Sequence, residues 1–502
     1  MIAIDGKSLT LETLEGIALD LSGRARVALP KKARAKMLRS RRFIEAKLAG
    51  EEPIYGVNTG FGLLSNIRVA EEKLEALQVN LLRSHAVGVG QPLSEREVRA
   101  TIALRANTLA GGYSGVTPAL VEALLALLNR GVHPWIPSQG SVGASGDLAP
   151  LAHLSLVLIG EGKAFHRGKL MPGARALKRA GLKPYALKPK EGLSLINGTQ
   201  VMTAIGALTL LRAERLAGIA DIAGAMSIEA VAGSAEPFDA AIHRARPHRG
   251  QIEVAARFRK LLAGSQIMKS HSHCEKIQDP YSFRCIPQVH GIVRDVLKHV
   301  RRVLEVEVNG ATDNPLVFAD GPRPRVVNAG NFHGEYVAIA MDELAIAVAE
   351  LASISEQRLE KLVNTTFSDL PPFLVEEGGL NSGFMIVQVS AASLVSENKV
   401  LCHPASVDSI PTSADKEDHV SMGAIAARKA RAVVENAWNV IAMELFAAGQ
   451  GLEFRKPLRP ALLVEKAYQS LRRRVASVLR DRAFHEDIEK ISELMRSGEL
   501  LS

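Results

Sequence analysis

The sequence predicts a mainly α-helical chain, a bundle of long helices joined to a smaller, loop-rich N-terminal part. Three observations carry this expectation. From Glu335 to Leu362, and again from about His419 to Leu452, the chain is rich in Ala, Leu, Ile and Glu and free of proline. Each stretch is long enough for roughly seven turns or more. Helix-capping signals recur between apolar segments. Strand-like segments are short, Glu305 to Val308 for example, and no strand-helix alternation builds a parallel sheet.

Taken in order, the first strong element is basic: Lys31, Lys32, Arg34, Lys36, Arg39, Arg41 and Arg42 alternate with Ala33, Ala35, Met37 and Leu38 before Phe43 and Ile44. This pattern reads as the wet face of an amphipathic helix rather than a phosphate-binding patch. Ser94-Glu95-Arg96-Glu97 is a capping box that opens a helix through Leu104. Thr117-Pro118 supplies an N-cap and a first-turn proline, Leu120, Val121, Leu124, Leu125 and Leu128 form one face, and Gly131 closes the segment. The apolar runs Met202 to Leu211 and Leu216 to Met226 are cut by Arg212 and Asp221 before they can span a bilayer. Residues 1–200 read as the loop-rich part and 201–502 as the long-helix bundle, with no linker that clearly divides them.

A chain of 502 residues, 47% hydrophobic, buries a large core. Its net charge of +9 is modest for the length, and with 4% aromatics it lacks the stacking cluster that would accompany a nucleic-acid surface. Cys274, Cys285 and Cys402 form no C-x-x-C pair, and Asp5, Lys7, Glu12 and Glu15 interrupt the N-terminus, so a reducing cytoplasm and no secretion signal are expected.

Four Gly- and polar-rich segments lie between the helices: Tyr55 to Gly62, Pro137 to Asp147, Gln278 to Arg284 and Ile410 to His419. Loops on a helical scaffold are where functional groups tend to sit. The second holds Gly140-Ser141-Val142-Gly143-Ala144-Ser145-Gly146-Asp147. As an isolated stretch it reads as a flexible turn into a helix capped by Asp147. Held bent, it offers chemistry instead. The Gly146 amide nitrogen, beside a residue without Cβ, can close on the Ala144 carbonyl, and loss of two waters turns Ser145 into an exocyclic methylidene. The product is a strong electrophile.

Ser-Val-Gly-Ala-Ser-Gly-Asp-Leu-Ala-Pro-Leu-Ala-His from Ser141 resembles the signature of the aromatic amino acid ammonia-lyases, whose members act on histidine, phenylalanine or tyrosine. Further matches run in order along nearly the whole chain. They are Tyr-Gly-Val-Asn-Thr-Gly-Phe-Gly from Tyr55, Leu-Ile-Asn-Gly-Thr-Gln from Leu195, Gln-Asp-Pro-Tyr-Ser-Phe-Arg-Cys from Gln278, Gly-Asn-Phe-His-Gly-Glu from Gly330 and Glu-Asp-His-Val-Ser-Met from Glu417. The resemblance implies the long-helix bundle of the ammonia-lyase (fumarase/aspartase-like) type. It also implies a 4-methylidene-imidazol-5-one (MIO) group made from Ala144-Ser145-Gly146, no metal or dissociable cofactor, and a cytoplasmic homotetramer whose active sites draw on more than one subunit.

Such chemistry needs a base for the β-proton and a grip on the substrate. By resemblance Tyr55 is the leading candidate base, and Tyr281 assists the chemistry or positions the electrophile; as isolated residues both also suit ordinary tyrosine packing. Arg284 offers a bidentate fork for the substrate carboxylate, Asn197 and Gln278 offer amides, and Phe332 reads as a pocket wall. The histidine branch of the family carries a Ser-His pair where this chain has Ser84-His85, and Glu417 adds a carboxylate for an imidazole ring. Alone, His85 also reads as a helix-end histidine on backbone and Glu417 as a helix N-terminal charge. The expected reaction is elimination of ammonia from L-histidine to give trans-urocanate, the opening step of histidine degradation.

Departures from the pattern are Asp415-Lys416 before Glu417, where the histidine branch usually reads Asn-Gln, Gly334 and Tyr336 for the common Ala and Pro, and Arg83 for an apolar residue. Rival readings are a phenylalanine or tyrosine lyase, an aminomutase using the same electrophile, a zinc protein built on His271-Ser272-His273-Cys274, and a non-catalytic helical assembly. Ser145 is not in a G-x-S-x-G elbow, and Gly88-Val89-Gly90 lacks the third glycine of a dinucleotide fingerprint.

Overall fold

The protein is described here by a computed structural model that covers residues 1–22, 26–48, 50, 53–271 and 277–501. Helices dominate it, and the few strands form two- and three-stranded patches. Two compact units emerge: Met1–Leu211 with Arg301–Asp342 and Pro404–Arg428, and Arg212–Val300 with Glu343–His403 and Lys429–Ser502. We call them unit 1 and unit 2. Where the sequence suggested one division at residue 200, the first crossover falls at 211 and two later segments return to unit 1.

In unit 1 the capping box forms as expected. Ser94 Oγ accepts from the Glu97 amide, the Glu97 side chain accepts from the Ser94 amide, and the helix Glu95–Ala110 follows. Thr117 likewise caps Pro118–Asn129, whose Leu120, Val121, Leu124, Leu125 and Leu128 are buried, and the two helices pack together. The basic stretch is the helix Lys31–Leu48, burying Ala33, Met37 and Ile44 with most of its charges outward. Helices Leu74–His85, Leu148–Leu158 and Glu191–Ile196 pack on one another. That trio brings the end of the first, the loop before the second and the end of the third into one neighbourhood.

Unit 2 is built from the longer helical runs, with Phe238 stacked on Phe258 (ring centroids 4.7 Å apart) and Phe384 and Phe446 packed with Phe484. Among the described residues no helix is long and apolar enough to cross a membrane.

Three sequence expectations are corrected. Glu305 to Val308 is not strand-like. The helix Ile286–Glu307 runs through it, because Val293, Leu297, Val300, Leu304 and Val308 repeat at three- and four-residue spacing and all are buried, while Arg301 pairs with Glu305 one turn on. The helix expected from about His419 begins at Gly423, after Met422 takes a left-handed φ of 55°. Asp147 does not cap its own helix: its Oδ2 accepts from the Val201 and Met202 amides, capping Gln200–Ala230 instead. The stretch Glu335 to Leu362 holds as the helix Glu335–Val363.

Candidate active site

The loop 140–147 links the strand Pro137–Gln139, paired antiparallel with Val89–Pro92, to the helix Leu148–Leu158. Its glycines are required by space as well as by conformation. At Gly143 (φ +73°) a Cβ would lie 2.2 Å from Ser421 Oγ, and at Gly146 (φ +75°) 2.2 Å from the Gly198 carbonyl oxygen. Gly198 brackets Gly146 on both sides, its amide donating to the Ser145 carbonyl (3.2 Å) and its carbonyl accepting from the Asp147 amide (2.7 Å). Ala144 sits in a small apolar cluster with Val420 and Met422. The loop is therefore turned at Gly143 and Gly146 and held from outside by Gly198 and Ser421.

Ser145 Oγ donates to Glu417 Oε1 (2.9 Å), and Thr412 Oγ1 donates to Glu417 Oε2 (2.9 Å). Glu417 is thus not a helix N-terminal charge. It lies in a turn closed by two backbone hydrogen bonds with Thr412, reached through the left-handed residues Ser413, Ala414 and Asp415. Tyr55 is half-buried, with the Gly62 amide near enough to its hydroxyl to favour the phenolate. Burial pushes the Tyr55 phenol up, the Gly62 amide partly offsets this, and the Glu417 charge pushes it further up. As the protein stands, Tyr55 is a neutral phenol, contrary to the activated base that a nearby cation would make.

His85 closes the helix Leu74–His85 with Nδ1 2.8 Å from the Leu81 carbonyl oxygen and 3.1 Å from Ser84 Oγ. A carbonyl only accepts, so Nδ1 carries the proton and Nε2 is left as an acceptor. Burial lowers the His85 pKa against the pull of Leu81 and Glu417, so the ring is neutral at pH 7. Ser84 Oγ donates to the same Leu81 carbonyl (3.1 Å) and is turned to its own helix. The helix-end reading of His85 is what the geometry contains, and the charge of Glu417 still reaches the ring. Arg83 is anchored on Glu161 by a forked pair, tying this helix end down.

Asn197 ends the short helix Glu191–Ile196; it is buried, and its Oδ1 has no partner among the described residues. Phe332 is half-buried in the turn before Glu335–Val363, next to His333, whose ring stacks on His419 and whose Nε2 lies 3.2 Å from the His419 carbonyl oxygen. A Cβ at Gly334 would lie 2.5 Å from Met202 Sδ, which explains glycine where alanine is usual.

Gln278, Tyr281 and Arg284 belong to unit 2. Gln278 and Arg284 line a cleft of about 850 Å³ with Asp279, Cys285 and Gln288. The Arg284 guanidinium lies 4.4 Å from the centre of the Tyr281 ring, its Nε is buried without a partner among the described residues, and Tyr281 itself is 69% exposed. Of the proposed zinc set only His271 is described, bonded to Ser270 Oγ; Ser272, His273 and Cys274 lie outside the described residues. Sequence reading missed Thr412, Gly198 and Ser421. Only the Gly-Thr after Asn197 hinted at a close backbone approach.

The model of the aromatic amino acid lyase family matches residues 9–473. A histidine ammonia-lyase of Anaeromyxobacter sp. (strain K) is 56% identical, with 99% of each chain covered. Among solved structures, histidine ammonia-lyase from Trypanosoma cruzi superposes with a TM-score of 0.92 at 46% identity, covering 99% of this chain and 94% of that one. A tyrosine aminomutase from Streptomyces globisporus also gives 0.92, at 40% identity, with 100% and 97% covered.

Proposed function

This chain belongs to the aromatic amino acid lyase family, and we infer that it eliminates ammonia from L-histidine without oxidation, giving trans-urocanate. One observation carries the site: the Ser145 hydroxyl on Glu417 in the unit that also holds Tyr55 and His85.

The MIO group of this family fits the residues present. Gly146 sits where no Cβ has room, and Asn197 offers a buried Oδ1 with no partner among the described residues. Ala144, Ser145 and Gly146 would supply its atoms, with Glu417 and Asn197 against it. When formed, it supplies an electrophilic carbon that makes the substrate amine a leaving group.

The remaining roles fall to side chains. The neutral His85 ring presents an acceptor to an imidazole N–H, and Glu417 presents a second. A phenyl ring would leave the His85 acceptor unpaired, which disfavours phenylalanine. Tyr55 is proposed as the base for the β-proton. Because burial and Glu417 hold it protonated, its activation requires positive charge brought by the substrate itself. Arg284 and Gln278 are proposed to hold the substrate carboxylate, Tyr281 to assist, and Phe332 and Ser84 to shape the pocket.

We further propose a homotetramer in which one subunit's Tyr281 and Arg284 serve a neighbour's Ser145. Exposed Ile386, Val389 and Val400 on the helix Met385–Leu401 of unit 2 support an apolar assembly surface. The Cys285 thiol, in no disulfide, suits a reducing cytoplasm.

The test is ultraviolet absorbance of purified protein with L-histidine, L-phenylalanine and L-tyrosine in turn. Urocanate from histidine alone is expected. Cinnamate or coumarate instead would overturn the roles of His85 and Glu417, and a β-amino acid product would favour the aminomutase reading. Mixing inactive Ser145→Ala and Tyr281→Phe chains tests the shared site, since hybrids should regain activity.

A further inference from the structure

Arg105 is completely buried within the helix Glu95–Ala110, yet among the described residues no carboxylate pairs with it directly; Asp313, whose charge reaches it, accepts a hydrogen bond from Lys190. The Arg105 charge is spent on neutral acceptors. Nη1 donates to the Asn197 carbonyl (2.6 Å) and to Gln200 Oε1 (2.7 Å). Nε and Nη2 are buried with no partner among the described residues. A cation placed like this costs stability, so packing alone does not explain it.

The two acceptors flank Gly198, the residue that brackets Gly146. A Cβ at Gly198 (φ +146°) would lie 2.3 Å from the Thr312 carbonyl oxygen and 2.6 Å from Arg105 Nη1. Gln200 is tied in turn, its Nε2 donating to Thr312 Oγ1 (2.6 Å) and Thr108 Oγ1 (3.2 Å). Arg105 therefore clamps Gly198 from both sides, and Gly198 fixes the Ser145 carbonyl and the Asp147 amide.

We propose that Arg105 is a positioning residue for self-made ring closure at Ala144-Ser145-Gly146, acting through Gly198 to hold the Gly146 amide for attack. This rests on the electrophile reading above. In the reaction the Gly146 nitrogen bonds the Ala144 carbonyl carbon. That carbonyl oxygen leaves as water with the amide hydrogens of Ser145 and Gly146. The Ser145 hydroxyl then leaves as a second water with the Ser145 Cα hydrogen, forming the methylidene. No oxidant or reductant enters. An untethered loop must find one bent geometry before the nitrogen can attack, and fixing Gly198 removes part of that conformational search.

Intact mass of the purified chain reads closure directly, because the mature chain is about 36 Da lighter than its sequence. Arg105→Met, Arg105→Lys and Gln200→Leu would be followed by mass at intervals after synthesis, alongside the urea midpoint. Arg105→Met is expected to fold and to mature at least about tenfold more slowly, Arg105→Lys to recover part of the rate, and Gln200→Leu to fall between. Turnover per matured site should stay near the wild-type value. Full mass loss at the wild-type rate in folded Arg105→Met overturns the proposal; if that variant does not fold, the same result in Gln200→Leu does so. A wild-type chain without the deficit overturns the ring itself, a different failure.

Discussion

In unit 2 the buried Glu444 carboxylate receives four donors: Arg358 Nε (2.5 Å) and Ser227 Oγ (2.8 Å) on Oε1, Arg358 Nη2 (2.8 Å) and Ser355 Oγ (2.5 Å) on Oε2. Beside it His290 donates from Nδ1 to Asp221 (2.8 Å) and lies 3.4 Å from Arg358 through Nε2. Arg257 and Arg294 share the other Asp221 oxygen. Burial alone would raise Asp221, but His290 and the two arginines outweigh it and hold the carboxyl below its usual range. In unit 1 the buried polar groups near Ser145 are left incomplete: Asn197 Oδ1 and two Arg105 nitrogens have no partner among the described residues, and burial pushes Asp147 up to about 7. The Glu444 carboxylate thus has donors on both oxygens. The proposed site instead keeps open valences and a carboxyl near its titration point, as a site built for chemistry would.

The largest expected effect tests the open network. Ser145→Ala should lower turnover by at least about a thousandfold while leaving the urea midpoint unchanged, since only a half-buried hydroxyl is lost. Retained turnover would remove the electrophile from the reading.

Arg358→Met tests the closed one in the opposite sense. It strands the buried Glu444 charge and should cost about 3–5 kcal/mol of stability, read from denaturant melts, while matured chains keep the two-water mass deficit. A loss under about 1 kcal/mol would mean the pair contributes little to holding the helices.

Tyr55→Phe should reduce turnover by about a hundredfold with a smaller change in KM, as expected of a group acting in the transition state. An equal change in both would reassign Tyr55 to binding.

His85→Phe should shift the kcat/KM ratio of histidine to phenylalanine by about tenfold toward phenylalanine, because an acceptor for the imidazole N–H is replaced by an apolar ring. An unaltered ratio takes His85 out of the specificity account.

The smallest effect is on pH dependence. A carboxyl whose folded pKa is raised binds its proton more tightly in the native state. Its contribution is complete below the unfolded value near 3.8 and is lost as pH rises through about 7. Asp147→Asn should therefore flatten that part of the stability profile relative to wild type between about pH 4 and 7. An identical slope in the two chains would show that Asp147 is ionised throughout.

Much of the fold was legible because helix grammar is local. Ser94-Glu97 and Thr117-Pro118 start helices at the residues where the structure starts them. Glu305 to Val308 was misread because four residues of β-former composition were weighed without the longer stripe from Val293 to Val308, whose period decided the matter. Read as an isolated stretch, Asp147 caps its own helix, but its real partners lie more than fifty residues away.

The site divides along the same line. The Ala144-Ser145-Gly146 chemistry, the candidate tyrosines and the Ser84-His85 pair could be named from residue type and order, because the required functional groups are properties of the residues themselves. The sequence by itself also determined that the chain is a long-helix lyase of this family. Only the tertiary structure decided that Glu417 takes the Ser145 hydroxyl across 272 positions, that Gly198 brackets Gly146, and that Arg105 grips Gly198. Hydrogen bonds between residues so far apart depend on how helices pack, and packing is set by side-chain shape summed over the core rather than by any local pattern.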